Sequence, residues 1–133
     1  MAVETKILLT GIIYGEGPRW HDGKLWFSDI HAKKVMNVDL DGKAEIVADI
    51  PGLPSGLGWL PDGSLLLVSM TNRRLLRLVN DRLSEVADMS KLTSYLCNDM
   101  VVDELGRAYI GHFGFDLFGS GREAFAPADI IMA

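Results

Sequence analysis

GLGWLPDGSLLLVSM, residues 56–70, contains two short apolar runs on either side of a tight turn. A similar stretch, GPRWHDGKLWFSDI, precedes it, and a third, DMVVDELGRAYIGH, follows it. The turn glycines of the three stretches, Gly23, Gly63 and Gly106, are separated by 40 and 43 residues. Self-similarity at a fixed period of this size predicts a repeat architecture.

Between the turns, the sequence indicates β-strands. The first unit continues with KVMNVDL and AEIVADI, and the second with RLLRLVN and LSEVADM, short Val-, Ile- and Leu-rich runs bounded by Asp, Asn or Gly. Residues 84–92 can be drawn as a helix, but their place in the repeat makes them an outer strand and its exit loop.

Four short strands in a unit of about 40 residues are typical of a β-propeller blade. The sequence therefore predicts an all-β fold with about three four-stranded blades, in units near 16–54, 55–97 and 98–133. A β-sandwich or an open meander is the alternative, but neither needs to repeat its sequence at blade length.

Composition limits the classes of function. The 133 residues are enough for one ordinary domain, and at 48% hydrophobic residues the chain can bury a core. The formal net charge of −5 argues against a nucleic-acid partner, because phosphate binding needs a basic face. No apolar run approaches the ~18 residues of a membrane span, and no signal-peptide pattern is present. Since Cys97 is the single cysteine, we expect no internal disulfide, a cytoplasmic location and a buried packing role for this thiol.

One position recurs at the entrance to the first strand of each unit. Glu16, Ser55 and Asn98 are equivalent residues just before that strand. The first strand of a propeller blade lines the central channel, so three blades would bring a carboxylate, a hydroxyl and an amide to its mouth. Oxygen ligands suit hard cations such as calcium, magnesium or manganese. Ser55 and Asn98 have the alternative role of turn formers, and for Asp99 a supporting role in the site and a turn role are equally open.

The histidines form no recognisable zinc motif. His21 and His31 fall in turns, where we expect His21 to be exposed, and His112 falls near the end of a second strand, where its role stays open. The sequence contains no nucleophile elbow and no phosphate-binding loop.

GEGPRWHDGKLWFSDIHAKKVMNVDLDG, PSGLGWLPDGSLLLVSM and CNDMVVDELGRAYIGHFGFD closely resemble the senescence marker protein, gluconolactonase and luciferin-regenerating enzyme-like family. The resemblance runs from about residue 11 to the end of the chain. It depends on Glu-Gly-Pro ahead of the first strand together with Asn-Asp ahead of a later one. It implies a six-bladed β-propeller that binds one divalent metal at the channel mouth and hydrolyses sugar lactones, or other lactones and esters.

The resemblance also implies roles for particular residues. Glu16 becomes a metal ligand, and Asn98 contacts the substrate or the metal's water. Apart from the resemblance, the repeat position of Ser55 and the place of Asp99 beside Asn98 assign these two residues to substrate binding. The metal is a single divalent ion, calcium by preference, with zinc, manganese, magnesium and iron as alternatives. Leu96 stands where some members carry a substrate-gripping arginine, which suggests a less polar substrate. The other ligands and the general base of the family lie in its later half, so no base is identified here.

Family members are about twice as long as this chain, which stops in what the repeat predicts to be the third strand of the third blade. Residues 1–15 suit a ring-closing outer strand. We therefore expect either a fragment or a half-propeller that a second copy completes. The expected function is metal-dependent lactone hydrolysis, with part of the site in this chain. The alternatives are a non-enzymatic metal- or ligand-binding propeller and an inactive truncated fragment. Whether the loop at 113–128 covers the channel mouth is left open.

Overall fold

The computed structural model of the chain describes residues 1–119 and 125–133. The described residues form eleven strands in three antiparallel sheets, which we call blades 1, 2 and 3. Blade 1 contains β1 Gly15–His21, β2 Lys24–Asp29, β3 Lys34–Val38 and β4 Ala44–Asp49. Blade 2 contains β5 Pro54–Trp59, β6 Leu65–Ser69, β7 Arg74–Val79 and β8 Arg82–Asp88. Blade 3 contains β9 Cys97–Val102, β10 Ala108–His112 and β11 Ile130–Met132.

These sheets confirm the all-β prediction and the predicted strand order. In blades 1 and 2 the four strands pair in chain order, and the segment 84–92 is an outer strand with its exit loop. No helix occurs in the described ranges, so none there is long and apolar enough to cross a membrane. Residues 1–14 form no strand, and their predicted role in closing a ring stays a prediction.

The three turn glycines of the repeat have positive φ angles. Gly23, Gly63 and Gly106 have φ angles of 75°, 84° and 83°, which side chains with a Cβ atom rarely adopt. At the hairpin between β1 and β2, Asp22 also has a positive φ of 51°, the pattern of a two-residue type I′ turn. The predicted hairpin turns are therefore confirmed.

The second strand of blade 2, β6, is buried on both faces. All five residues of β6 are buried; Leu65 and Leu67 pack in a cluster with blade 1, whereas Leu66 and Val68 pack in a cluster with blade 3. Because side chains alternate along a strand, a strand between two cores needs apolar residues at successive positions. This requirement explains the uninterrupted LLLV run in the sequence.

Each first strand contains a β-bulge near its start. One extra residue lies on the first strand relative to its partner, between Glu16 and Arg19, between Pro54 and Leu57, and between Cys97 and Met100. A bulge bends the strand and re-aims the side chains around it. The three bulges therefore act on the same part of each blade, where the predicted site residues lie.

The first strands of neighbouring blades approach each other at backbone distance. A Cβ atom on Gly56 would lie 2.5 Å from the Met100 amide nitrogen, and one on Gly17 would lie 2.9 Å from the Ser55 carbonyl oxygen. The Ser28 hydroxyl donates a buried 2.7 Å hydrogen bond to that same carbonyl. Glycine is required at these positions because no side chain fits between the strands.

We expect Gly56→Ala to destabilise the fold by about 2 to 3 kcal/mol, since the new methyl group meets backbone atoms that cannot move independently. Gly111→Ala is the matched control, because a Cβ atom there would meet nothing nearer than 3.8 Å. The control should stay within about 1 kcal/mol of the parent chain. Urea unfolding of the three proteins measures both effects, and equal stability of Gly56→Ala and the parent would contradict the close approach.

Candidate functional site

The inner ends of the three blades surround a pocket of about 220 Å³. Three of its lining residues, Ile30, Met70 and Phe113, each follow the second strand of a blade. Each donates its backbone N–H to the carbonyl of the residue before the first strand, at 2.9, 2.7 and 3.0 Å. The pocket is thus built from the same position of three repeats.

Glu16 lines this pocket as the second residue of β1. Its side chain is exposed, and among the residues that the structure describes none hydrogen-bonds or ion-pairs with its carboxylate. A carboxylate without a protein partner beside a pocket is available to bind a cation.

Asn98 lines the same pocket from β9, and Ser55 lies directly behind it. Ser55 is only 2% exposed, and its hydroxyl donates to Asn98 Oδ1 at 3.3 Å. This contact fixes the Asn98 amide and leaves its Nδ2 group to donate elsewhere. Ser55 thus positions Asn98 and does not face the pocket itself. All three predicted residues are the second residues of their strands, whereas the sequence placed them just before the strand.

Asp99 also lines the pocket, but its charge is already paired. Its Oδ1 accepts from Arg19 Nη2 at 2.7 Å and from the Met100 N–H at 2.8 Å. Arg19 Nη2 also donates to the Met100 carbonyl at 2.7 Å, so Arg19 ties blade 1 to blade 3 beside the pocket. Since Arg19 neutralises Asp99, Glu16 is the carboxylate among the described lining residues that lacks a cationic partner.

Sequence reasoning missed Arg19. The only signal was a positive charge directly after Glu-Gly-Pro, and the contact to Asp99 joins residues 80 positions apart. An arginine in a strand carries no information in the sequence about such a distant partner.

The histidines have structural contacts. The side chain of His112 is 6% exposed; its Nε2 accepts from the Asp129 N–H at 3.1 Å, and its Nδ1 lies 3.2 Å from the Phe113 carbonyl. The ring therefore ties β10 to the segment before β11. His21 is half-buried and stacks on Trp59 with ring centroids 3.9 Å apart, so the expectation that it is exposed is wrong.

The loop predicted at 113–128 contributes to the pocket. Leu117 and Phe118 line it, and His31 lies beside Phe118 with 6.0 Å between ring centroids. Residues 120–124 of this loop lie outside the described residues.

The donors at the pocket match a hard cation in kind. Glu16 offers carboxylate oxygens and Asn98 an amide oxygen. A hard cation binds oxygen ligands and needs neither nitrogen nor sulfur. Within the described ranges, no three His, Cys, Asp or Glu side chains come together as a metal-binding group. The described residues therefore fit part of a coordination sphere.

Cys97 precedes Asn98, yet it belongs to the core. It is 0% exposed and packs between blades 2 and 3, and burial raises the pKa of its thiol to about 11. The prediction of a buried packing thiol is confirmed. A thiol with this pKa is protonated at neutral pH and is a poor nucleophile.

We expect Cys97 in the native chain to resist a thiol reagent at pH 7 and to react fully once guanidinium unfolds the protein. Release of the chromophore from a disulfide reagent measures the reaction. Rapid, stoichiometric labelling of the folded chain would contradict the burial of this side chain. Introducing an exposed thiol with Ser84→Cys provides the positive control.

Antiparallel sheets arranged around one pocket, with each outer strand leading to the next inner strand, are the blades of a β-propeller. The model of the SMP-30/gluconolactonase/LRE-like family matches residues 14–129, and the chain belongs to this family. The resemblance noted in the sequence is thereby confirmed.

The solved structures with similar folds are those of proteins with different activities. A gluconolactonase from Xanthomonas campestris has a TM-score of 0.71 at 18% identity, covering 90% of this chain and 43% of that chain. Virginiamycin B lyase from Staphylococcus aureus has a TM-score of 0.61 at 14% identity, covering 90% and 40%. A luciferin-regenerating enzyme has a TM-score of 0.57 at 15% identity, covering 74% and 38%.

This chain spans less than half the length of each of these three structures. No curated protein matches it. Because proteins with different reactions share this fold, the likeness identifies the fold and leaves the reaction to the site.

Proposed function

We propose that this chain supplies part of the active site of a metal-dependent lactone hydrolase of the gluconolactonase type, built on a six-bladed propeller. The observation that supports the proposal most is the unpartnered Glu16 carboxylate, which shares one pocket with Asn98 in a chain of this family. Glu16 is the proposed metal ligand, and Asn98 the proposed substrate contact.

The metal in the proposal is one divalent cation, calcium by preference, because the donors are oxygen atoms. When bound, such a cation supplies Lewis-acid polarisation of a carbonyl group. Glu16 would bind this cation with a carboxylate that has no other ion-pair partner among the described residues. The Arg19–Asp99 pair keeps the second carboxylate from competing for it.

Asn98 orients the substrate in this proposal. Since Asn98 Oδ1 accepts from Ser55, its Nδ2 group is left to donate to the carbonyl oxygen of a lactone. Asp99, held by Arg19 and bonded to the Met100 N–H, keeps the backbone next to Asn98 in place and lines the same pocket as Asn98. A donor fixed in advance stabilises the charge that develops on this oxygen during hydrolysis.

The walls of the pocket favour a less polar lactone or ester. Ile30, Met70, Phe113 and Phe118 line it, and Leu96 brings no charge to the neighbouring position. Hydrolysis also requires a base that activates water, and we assign that role to none of the described residues. We therefore expect little or no hydrolysis by a single copy of the chain. The proposal includes a cytoplasmic location, since the single thiol is reduced and buried.

A non-enzymatic metal- or ligand-binding propeller is the second candidate. It is favoured because the described pocket lining holds two carboxylates, Glu16 and Asp99, and the pairing of Asp99 with Arg19 leaves no second free carboxylate to act as a base. A chain that binds neither a cation nor a small ligand would exclude both candidates.

Calcium titration calorimetry tests the role of Glu16. We expect Glu16→Gln to weaken calcium binding at least about tenfold, because it removes the one unpaired charge, and a tenfold loss corresponds to about 1.4 kcal/mol. Glu104→Gln is the matched control: it removes an exposed carboxylate from the turn between β9 and β10 and should bind like the parent.

Equal affinities for Glu16→Gln and the parent would overturn the metal site. If calcium binds at Glu16 and lactone hydrolysis is absent in every assembled form of the chain, the non-enzymatic candidate is supported instead.

A further inference from the structure

The pocket beside Glu16 has a polar part and an apolar part, which come from different segments of the chain. Its polar lining residues, Glu16, Asn98 and Asp99, lie on the inner strands β1 and β9. Its apolar and aromatic lining residues lie just outside the strands, in the segments that enter or leave them: Tyr14, Ile30, Met70, Phe113, Leu117 and Phe118. A ligand in this pocket therefore meets polar groups on one part of its surface and mostly apolar groups on the rest.

His31 joins two of these lining residues into a continuous row of rings. Its ring stacks on that of Tyr14 with 5.3 Å between centroids and 26° between planes, and its centroid lies 6.0 Å from that of Phe118. Both distances fall in the range of about 4.5 to 7 Å in which aromatic rings attract each other. Tyr14 and His31 flank strands of blade 1, whereas Phe118 lies in the loop that follows β10 of blade 3. These three residues, which we call the aromatic row, thus connect two blades beside the pocket.

Hydrogen bonds hold the blade 1 end of the aromatic row. The Asp29 carboxylate is 2% exposed and accepts from the N–H groups of Ile13 and Tyr14 at 3.0 and 2.8 Å. The Tyr14 carbonyl accepts from the N–H group of Ile30 at 2.9 Å, and His31 is the next residue of the chain. The backbones that carry the two stacked rings are therefore bonded to each other. A subsite that is fixed in advance loses less conformational entropy when a ligand binds.

The size of the pocket limits its ligand. At about 220 Å³ it is smaller than the roughly 300 to 1,000 Å³ that is usual for pockets of drug-sized molecules. A molecule of about two small rings is therefore the upper limit. Against aromatic side chains, the best apolar partner of that size is another aromatic ring, in offset or edge-to-face contact.

We propose that the aromatic row binds an aryl substituent of the substrate, so that the substrates are small lactones that carry an aromatic ring. This inference rests on the proposed function, in which Glu16 binds the cation and Asn98 contacts the lactone carbonyl. The lactone ring occupies the polar part of the pocket, and its aryl group packs against Tyr14 and Phe118. His31 contacts both of these rings and keeps them together.

Two lactones that differ by one ring test the proposal. The probes are γ-butyrolactone and γ-phenyl-γ-butyrolactone, each titrated with calcium present into the isotope-labelled full chain and followed through its amide signals. We expect the phenyl lactone to bind at least about tenfold more tightly, because its ring moves from water onto aromatic side chains. It should also shift the amide signals of Tyr14, His31 and Phe118 further than the parent lactone does. Equal affinities for the two lactones, or no binding of either, would overturn the aromatic subsite.

Changes at Phe118 locate the aryl group. Phe118→Ala should reduce the preference for the phenyl lactone to about threefold or less, whereas Phe118→Tyr keeps a ring and should retain the preference. Phe125→Ala is the matched control, since Phe125 follows in the same loop and its ring contacts Phe115, with 4.9 Å between centroids, outside the pocket lining. A preference that is unchanged in Phe118→Ala would overturn the proposal. Equal losses in Phe118→Ala and Phe125→Ala would attribute the effect to the fold of the loop and would overturn it as well.

A pair of changes at His31 tests whether this ring keeps the other two together. His31→Ala removes the stacking partner of Tyr14 and should also lower the preference for the phenyl lactone. His31→Phe restores a ring at this position and should restore the preference. A preference that is the same in His31→Ala as in the parent chain would contradict this role of His31.

Failure of this proposal is distinguishable from failure of the proposed function. Glu16→Gln leaves all three rings in place, so we expect it to weaken calcium binding and to leave the ratio of the two lactone affinities within about twofold of the parent ratio. A phenyl preference in a chain that binds no calcium at Glu16 would support the aromatic subsite and overturn the metal site. Calcium binding at Glu16 without a phenyl preference would overturn the aromatic subsite alone.

Discussion

The close approach of the first strands around the pocket is the constraint on which the rest of the structure depends. Gly17 and Gly56 let neighbouring backbones meet, and the buried Ser28 hydroxyl bonds the carbonyl of Ser55 in the next blade. A bulge bends each first strand close to the position that Glu16, Ser55 and Asn98 share. The position of Glu16 and Asn98 beside one pocket is therefore a consequence of how the blades pack.

Electrostatics then distinguishes the two acidic residues at the pocket. Arg19 holds Asp99 and the Met100 carbonyl together, so that carboxylate serves to position the strand that carries Asn98. Glu16 is exposed and has no cationic partner among the described residues. Of the two carboxylates at the pocket, the paired one supports the backbone and the unpaired one is left for the proposed cation.

Much of the fold could be predicted from the sequence, because the repeat indicates where the turns and strands of each blade lie. Gly23, Gly63 and Gly106 mark turns that need a positive φ, and the LLLV run marks a strand between two cores. The equivalence of Glu16, Ser55 and Asn98 followed from the same period. The structure places Glu16 and Asn98 in one pocket. The role of Glu16 toward a metal and that of Asn98 toward a substrate are proposals.

The sequence could not predict contacts between residues that are far apart in the chain. The Arg19–Asp99 pair, the stack of His21 on Trp59 and the anchoring of residues 13–14 by Asp29 all join different strands or blades. Nothing in the local sequence around any one partner indicates the other. The half-buried position of His21 was missed for this reason, since a turn residue is usually exposed, whereas Trp59 of the neighbouring blade stacks on this ring.

The central claim is that equivalent positions of separate blades converge on one cation site. The most direct measurement is a calcium titration of the amide spectrum of the isotope-labelled chain, followed by nuclear magnetic resonance. We expect the amide signals of Glu16, Ser55 and Asn98, which lie in three different blades, to shift together with a single dissociation constant. Shifts confined to acidic turns such as that of Asp88 and Ser90, or no shift at saturating calcium, would contradict it.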